Sequence, residues 1–321
     1  MTRKKLKLKK GVWIVLVLIL FLSVGIYSGV QIYKDFQYKK TYEYKLTEYG
    51  YSFEQAKVFL DKFDDAEIDY FLSIPKDDRI LDILNETYYL EKNLKKYIDY
   101  MNSNENLSLS DVVRDINVHL DNTFYKVTYK TDTSLDYKML VNKYYALDEN
   151  YAPDDLVGVS TKYAWGEAGS KKVRKVAYDA FLEMWNAANS DGYYLMINSA
   201  YRSYQSQTEV YNDYKSKRGE KYADSIAARP GSSEHQTGLS IDIFSKNNSN
   251  QSTFGDTMEA LWLKENAYKY GFVLRYPEDK VNVTGYNFES WHYRYVGVEA
   301  ATYCYEHNIT YDEYYAYFIE K

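Results

Sequence analysis

The sequence predicts an α+β fold, an antiparallel sheet with flanking helices, preceded by a transmembrane helix and a small helical module. Three observations carry that reading. A charge-free apolar run follows a basic N-terminus. Residues 31–130 place their apolar side chains at helical spacing. From about residue 131, helical stripes alternate with short period-two segments. At 321 residues, 45% apolar and 27% charged, the chain can bury one large core or two smaller ones, which excludes a wholly disordered protein.

"MTRKKLKLKK", residues 1–10, is a basic cytoplasmic tail, and "GVWIVLVLILFLSVGIYSGV", residues 11–30, holds no charged side chain. A helix of that length, rising ~1.5 Å per residue, spans the ~30 Å hydrocarbon core of a bilayer. The lysines before it stay on the cytoplasmic face, so everything after residue 30 is expected outside, as in a single-pass membrane protein. A cleaved signal peptide is the competing reading, because Ser23 and Gly25 are small enough for a processing site. The length of the run and the lack of an A-x-A pattern favour an uncleaved anchor.

Residues 31–130 read as short amphipathic helices, an extracellular stalk or module. In "YSFEQAKVFLDKF" Ser52 stands three before Gln55, a capping-box pattern, and Phe53, Ala56, Phe59 and Leu60 share helical spacing. "RILDILNETYYLEKNLKKYIDYM" repeats that period, and Ser108, three before Asp111, opens the next helix. His119 lies here without a metal or nucleophile constellation around it and reads as structural or solvent-facing.

A different texture begins at residue 131 and runs to 321. "SLDYKMLVNKYYALDENYAPDDLVGV" mixes short apolar runs with turn residues, as a strand and an extended connection do. "SKKVRKVAYDAFLEMWNAANSDG" is a helix with a stripe from Val173 to Ala188, ended by Gly192. "YYLMINSAYRS" is a strand leading to a polar turn at Arg202, and the helix after it stops at Gly219. In "GLSIDIF" Leu239, Ile241 and Ile243 alternate with Ser240 and Asp242, a half-buried strand whose polar face carries the aspartate. "KNNSNQSTFG" reads as a polar loop, "DTMEALWLKENAYKYG" as a helix, and "FVLRYPEDKVNVTGYNFESWHYRYVGV" as two or three strands. Thr310, three before Glu313, caps a last helix.

Composition narrows the partners. A net charge of −6 with no basic domain argues against nucleic acid. Cys304, the single cysteine, excludes an intrachain disulfide. Thirty-nine tyrosines supply half-polar surfaces suited to packing and to saccharide or peptide grooves, although a nucleotide-composition bias explains them as readily.

The chemistry concentrates in two stretches. A catalytic zinc wants three protein ligands, an open position and a base. His235, Asp242 and His292 offer two imidazoles and a carboxylate, and Glu289, three before His292, offers the base. Taken singly, H-x(6)-D and E-x-x-H are weak patterns, and two satisfied histidines near a sheet end account for them equally well. Trp291 suits core or groove wall. Cys304 and His307 form a C-x-x-H pair without a second half and read as packing residues.

"SSEHQTGLSID" matches S-x-H-x-x-G-x-[AS]-x-D, and "ESWH" matches E-x-W-H. Together they resemble the zinc carboxypeptidases of the VanY and LdcB type, the D-alanyl-D-alanine and L,D-carboxypeptidase group. The likeness extends to "NKYYALDENYAPDDL", "INSAYRSYQSQ" and "GFVLRYPEDKVNVTGYNFESWHYRYVG", so it covers roughly residues 138–300 in order. Ser240 stands where that family often has alanine.

The resemblance implies a zinc carboxypeptidase domain over residues 131–321, with a fold shared by hedgehog signalling domains. It implies one Zn2+ per chain on His235, Asp242 and His292, and Glu289 as the residue that activates the zinc-bound water. Arg202 is implied to polarise the scissile carbonyl and steady its oxyanion, which a planar, always-charged guanidinium suits. A surface salt bridge for Arg202, and an imidazole-orienting role for Glu289, are the plainer alternatives. Gln207 and Ser233 look like the groups that hold the terminal D-alanine, and Tyr276 like a wall of the peptide site. The expected activity is removal of C-terminal D-alanine from peptidoglycan stem peptides, outside a bacterial cell membrane. An endopeptidase of the same fold and a non-catalytic wall-binding module are the alternatives. The completeness of the five-residue set favours catalysis.

Overall fold

The computed structural model describes residues 10–167 and 169–320. Residues 1–9 of the basic tail lie outside them. The chain divides into two compact units, one ending at Glu86 and the other beginning at Thr87.

In the first unit, α1 (Lys10–Tyr38) contains the whole charge-free run and continues past it. It is long and apolar enough to cross a membrane, and its apolar side chains, such as Phe21 and Ile26, are exposed all round. Four short helices follow: α2 (Tyr42–Glu48), α3 (Phe53–Lys62), α4 (Asp65–Ser73) and α5 (Arg79–Asp82). The capping box of Ser52 and Gln55 forms as the sequence predicts, and Asp64 with Glu67 makes a second one that opens α4. These helices close on an aromatic cluster in which the Phe59 ring lies 4.7 Å from Tyr51 and 5.1 Å from Phe71. The buried stripe of α3 is narrower than its spacing suggests, because Phe53 and Leu60 remain exposed while Ala56 and Phe59 are covered.

Residues 87–130, which the sequence pattern groups with the stalk, belong to the second unit. Their aromatic faces find partners far along the chain. Tyr88 stacks on Tyr317 at 3.9 Å, His119 Nε2 lies 2.9 Å from the Tyr145 hydroxyl, and the Tyr125 and Tyr286 hydroxyls meet at 3.0 Å. After α5 the second helical period continues as 3-10 turns at Ile83–Asn85 and Glu91–Asn93 and then α6 (Leu94–Ser103). Next comes α7 (Leu109–Asn117), with Ser108 at its N-cap as expected.

Two small ribbons lead into the main body: β1 (Tyr129–Lys130) pairs in parallel with β2 (Tyr145–Ala146), and β3 (Leu156–Gly158) pairs antiparallel with β4 (Lys172–Arg174). The elements that follow are α8 (Lys175–Ser190), β5 (Leu195–Ser199), α9 (Tyr204–Arg218), α10 (Glu220–Ile226), β6 (Ser240–Ser245), α11 (Gln251–Phe254) and α12 (Met258–Asn266). The chain finishes with β7 (Phe272–Leu274), α13 (Val281–Thr284), β8 (His292–Tyr295), α14 (Val298–His307) and α15 (Tyr311–Phe318). Strands β5, β6, β8 and β7 form, in that order, a fully antiparallel sheet. One face packs against α8 and α12 through Phe181, Met184, Ile241, Ile243, Leu263 and Phe272, all fully buried.

Two local expectations change, and a third settles at its lower count. Strand β6 is buried on both faces, not one: Ser240 is as inaccessible as Ile241, because the polar face is covered by the 3-10 turn and loops that build the site. The stretch read as a polar loop contains α11, whose Phe254 is fully buried with its ring 5.0 Å from Phe244. The segment read as two or three strands has two, since Val281–Thr284 winds into a helical turn that ends at Gly285 in the left-handed region, φ 72°.

Candidate active site

Antiparallel pairing delivers the first two site residues together. Asp242 on β6 and His292 at the start of β8 are direct cross-strand partners, a relation that puts side chains within about 5 Å of each other. His292 Nδ1 lies 3.0 Å from Asp242 Oδ1. The third comes from the 3-10 turn Glu234–Thr237 just before β6, which ends at Gly238 with φ 66°. A side chain at Gly238 would be strained by that angle, and its Cβ would also meet Leu156 Cδ2 at 2.8 Å. His235 Nε2 then sits 3.5 Å from Asp242 Oδ2, and the two imidazoles stand edge to face at 5.0 Å.

The loop after β5 is tied to the same turn. Ala200 O accepts from His235 Nδ1 at 2.7 Å, and the Arg202 amide donates to His235 O at 3.1 Å. A register shift between Ile197 and Ser199 re-aims Ser199 along β5. Its hydroxyl accepts from Arg202 Nη2 at 3.0 Å, while Arg202 Nη1 donates to Gln207 Oε1 at 2.8 Å. Gln207 donates in turn to Ala228 O at 2.7 Å, so both ends of its amide are engaged within the protein. The Gln207 amide thus bridges the Arg202 guanidinium and the Ala228 carbonyl.

Arg202, Gln207, Ser233, His235, Asp242, Tyr276, Glu289 and His292 all line one pocket of about 130 Å³. Every residue the sequence singles out for the site is therefore gathered in one place. Glu289 Oε2 lies 3.9 Å from His292 Nδ1, and its backbone amide donates to Tyr276 O. Tyr276 stacks over His292 at 5.0 Å and meets Tyr286 at 4.7 Å. Trp291 lies nearly parallel to Phe244 and forms pocket wall, as expected. Cys304 and His307 take no part: the buried thiol faces Thr310 O, and the His307 ring stacks on Tyr303.

The electrostatics divide the acids. Burial alone would raise Asp242, but the charges and hydrogen bonds of His235 and His292 hold its carboxyl far below the usual range. Burial raises Glu289 to about 7, with Asp242 adding to the rise and His292 and Arg202 opposing it. Burial lowers His235, whereas hydrogen bonds to Asp242 and Glu234 overcome it at His292 and push that imidazole up to about 9. One carboxylate stays ionised and the other is poised to exchange a proton near neutral pH.

The donor set fits a metal. One ligand atom from each of His235, Asp242 and His292 can be chosen so that all three lie within 4.8 Å of one another, and all three residues are buried. Two imidazole nitrogens and a carboxylate oxygen are a zinc set, with room left for a further ligand.

The model of the VanY family, described as D-alanyl-D-alanine carboxypeptidase, matches residues 170–298. The solved structure of the LD-carboxypeptidase LdcB is 41% identical, and the match covers 61% of this chain and 94% of that one, with a TM-score of 0.56. This chain belongs to the VanY/LdcB family. It is also 44% identical to YodJ of Bacillus subtilis (strain 168) over 55% of this chain and 66% of YodJ. A vancomycin-resistance D,D-pentapeptidase VanY, solved with Zn(II), is 33% identical over 56% of this chain and 98% of its own, with a TM-score of 0.48. The chain spans 51–66% of the length of three curated relatives that it matches.

For a VanY/LdcB-family chain, the motif residues were legible and their supports were not. Glu234, inside the first motif, is fully buried and contacts His292, Arg275 and Arg294. Ser240, the departure from alanine, donates to Glu234 Oε2 at 3.2 Å. Ser199 and Arg275 carried no signal of their own, because their partners lie elsewhere in the chain.

Proposed function

We propose that this chain is a membrane-anchored, zinc-dependent carboxypeptidase that removes the C-terminal D-alanine from peptidoglycan stem peptides. The observation that carries the reading is the gathering of Glu289 and Arg202 in one pocket with the His–Asp–His set. His235, Asp242 and His292 would hold the zinc ion. Zinc at such a set acidifies water and polarises a carbonyl.

The remaining work falls to the chain's own residues. Glu289 takes the proton from the attacking water and passes it to the amine that leaves when the amide C–N bond breaks. Arg202, its guanidinium fixed by Gln207 and Ser199, meets the negative charge that develops on the carbonyl oxygen. The Ser233 hydroxyl, in the buried pocket wall, would take the terminal carboxylate, and Tyr276 closes the side over His292. Helix α1 would anchor the protein, leaving the catalytic unit outside among wall peptides.

The test is to incubate the full-length protein in detergent with penta- and tetrapeptide stems, with and without a chelator, and weigh the products. Loss of one D-alanine, abolished by chelation, is expected. An internal cut would replace this reading with an endopeptidase, and no product would leave a wall-binding module.

A further inference from the structure

We propose that Glu234 is a positioning residue that fixes His292 to present Nδ1, and that Arg275 ties this carboxylate to the C-terminal helix α15. The inference rests on the metal-site reading above and concerns how that site is held. Glu234 precedes His235 in sequence, yet its side chain turns to the other imidazole. Its Oε2 lies 3.3 Å from His292 Nε2 and accepts from the Ser240 hydroxyl. Its Oε1 accepts from Arg275 Nε at 2.8 Å and Arg294 Nη1 at 3.4 Å.

A carboxylate set between two guanidinium groups, with none of its surface exposed, is ionised and can only accept. The imidazole must therefore donate from Nε2. That leaves Nδ1, which faces Asp242 at 3.0 Å and Glu289 at 3.9 Å, as the nitrogen that can exchange its proton for a metal. His235 is held the opposite way: its Nδ1 is spent on Ala200 O, and Nε2 faces Asp242. The two imidazoles thus offer different nitrogens to one centre, each fixed by the partner of the other ring nitrogen.

Arg275 is fully buried and carries the constraint onward. Its guanidinium also pairs with both oxygens of Asp312 on α15, at 2.5 and 3.0 Å, and Asn142 donates to Asp312 at 2.7 Å. An Arg275–Asp312 pair alone would satisfy a packing role without a third partner. The contact of Glu234 with His292 links that pair to the site.

The decisive measurement uses the unmodified full-length protein in detergent, loaded with ¹¹³Cd and labelled with ¹⁵N-histidine. Four histidines make the spectrum assignable. Cadmium coupling to Nδ1 of His292 and Nε2 of His235 is expected. Coupling to Nε2 of His292 overturns the inference alone, whereas coupling to neither histidine overturns the metal-site reading beneath it. By chelator competition, Glu234→Gln should lower zinc affinity roughly 10–100-fold, and Asp312→Asn should lower it less. Unchanged affinity in Glu234→Gln, or an equal fall in both variants, overturns the proposal. Should Glu234→Gln fail to fold, the cadmium couplings still decide.

Discussion

Replacing Glu289 by glutamine should abolish activity and at the same time stabilise the metal-free protein. The carboxyl makes no side-chain hydrogen bond among the described residues, and burial raises it from 4.5 to about 7. Each tenfold change is worth ~1.4 kcal/mol, so ionising this group in the folded protein costs on the order of 3 kcal/mol. The sign follows from the two states. Below pH 4.5 the carboxyl is protonated whether the chain is folded or not, and stability is intact. As pH rises through about 7, the folded protein must carry a buried carboxylate, and that stability is lost. Glutamine never ionises. The variant and parent should melt together near pH 4.5 and separate as pH rises, with the gap complete above pH 7. At about 2–4 °C per kcal/mol for a domain of this size, the gap should reach ~6–12 °C. The assay is thermal unfolding of metal-free full-length protein across that pH range, followed by zinc binding and D-alanine release. Release should fall roughly 10²–10⁴-fold, the usual contribution of a general acid–base residue, with zinc still bound. Parental release, or coincident melting curves at pH 8, would refute the assignment of the poised carboxyl.

Arg202→Lys keeps the charge but loses the planar fork to Gln207 and Ser199; kcat/KM should drop at least ~10-fold, about 1.4 kcal/mol, while zinc affinity stays unchanged. Ser233→Ala should raise KM for stem peptides with little change in kcat, read from initial rates. Phe254→Ala empties a fully buried site against Phe244 and should cost ~3–5 kcal/mol by denaturant unfolding. Removing zinc with a chelator should stop D-alanine release, and added zinc should restore it.

What the sequence reveals about this site follows the reach of each interaction. His235 and Asp242 share a turn and a strand, so their spacing survives as a local pattern, and Glu289 precedes His292 by three positions on one connection. The pairing of Asp242 with His292 spans fifty residues, and only the presence of both motifs implied it. Glu234 sat in plain view, but the residues that explain it, Arg275, Arg294 and Asp312, follow one by one much later in the chain. The same reach explains why the second compact unit begins at Thr87, before the change of texture at residue 131. Tyr88 and His119 look like parts of a stalk until Tyr317 and Tyr145 are brought to them. Strand β6 alternates like a half-exposed strand, because pattern cannot tell a face covered by loops from one covered by water.

Strand β6 is hydrogen-bonded along both edges, by β5 and β8, and shielded on both faces. Backbone amides in such a strand exchange with solvent only when the whole domain opens. Asp242 therefore rides on one of the last segments to come apart, and His292 is zipped to it. Apoprotein awaiting its ion would keep its ligands arrayed, so loading would resemble filling a socket more than driving a fold. Scarcity of metal would then silence the molecule without exposing it to proteolysis.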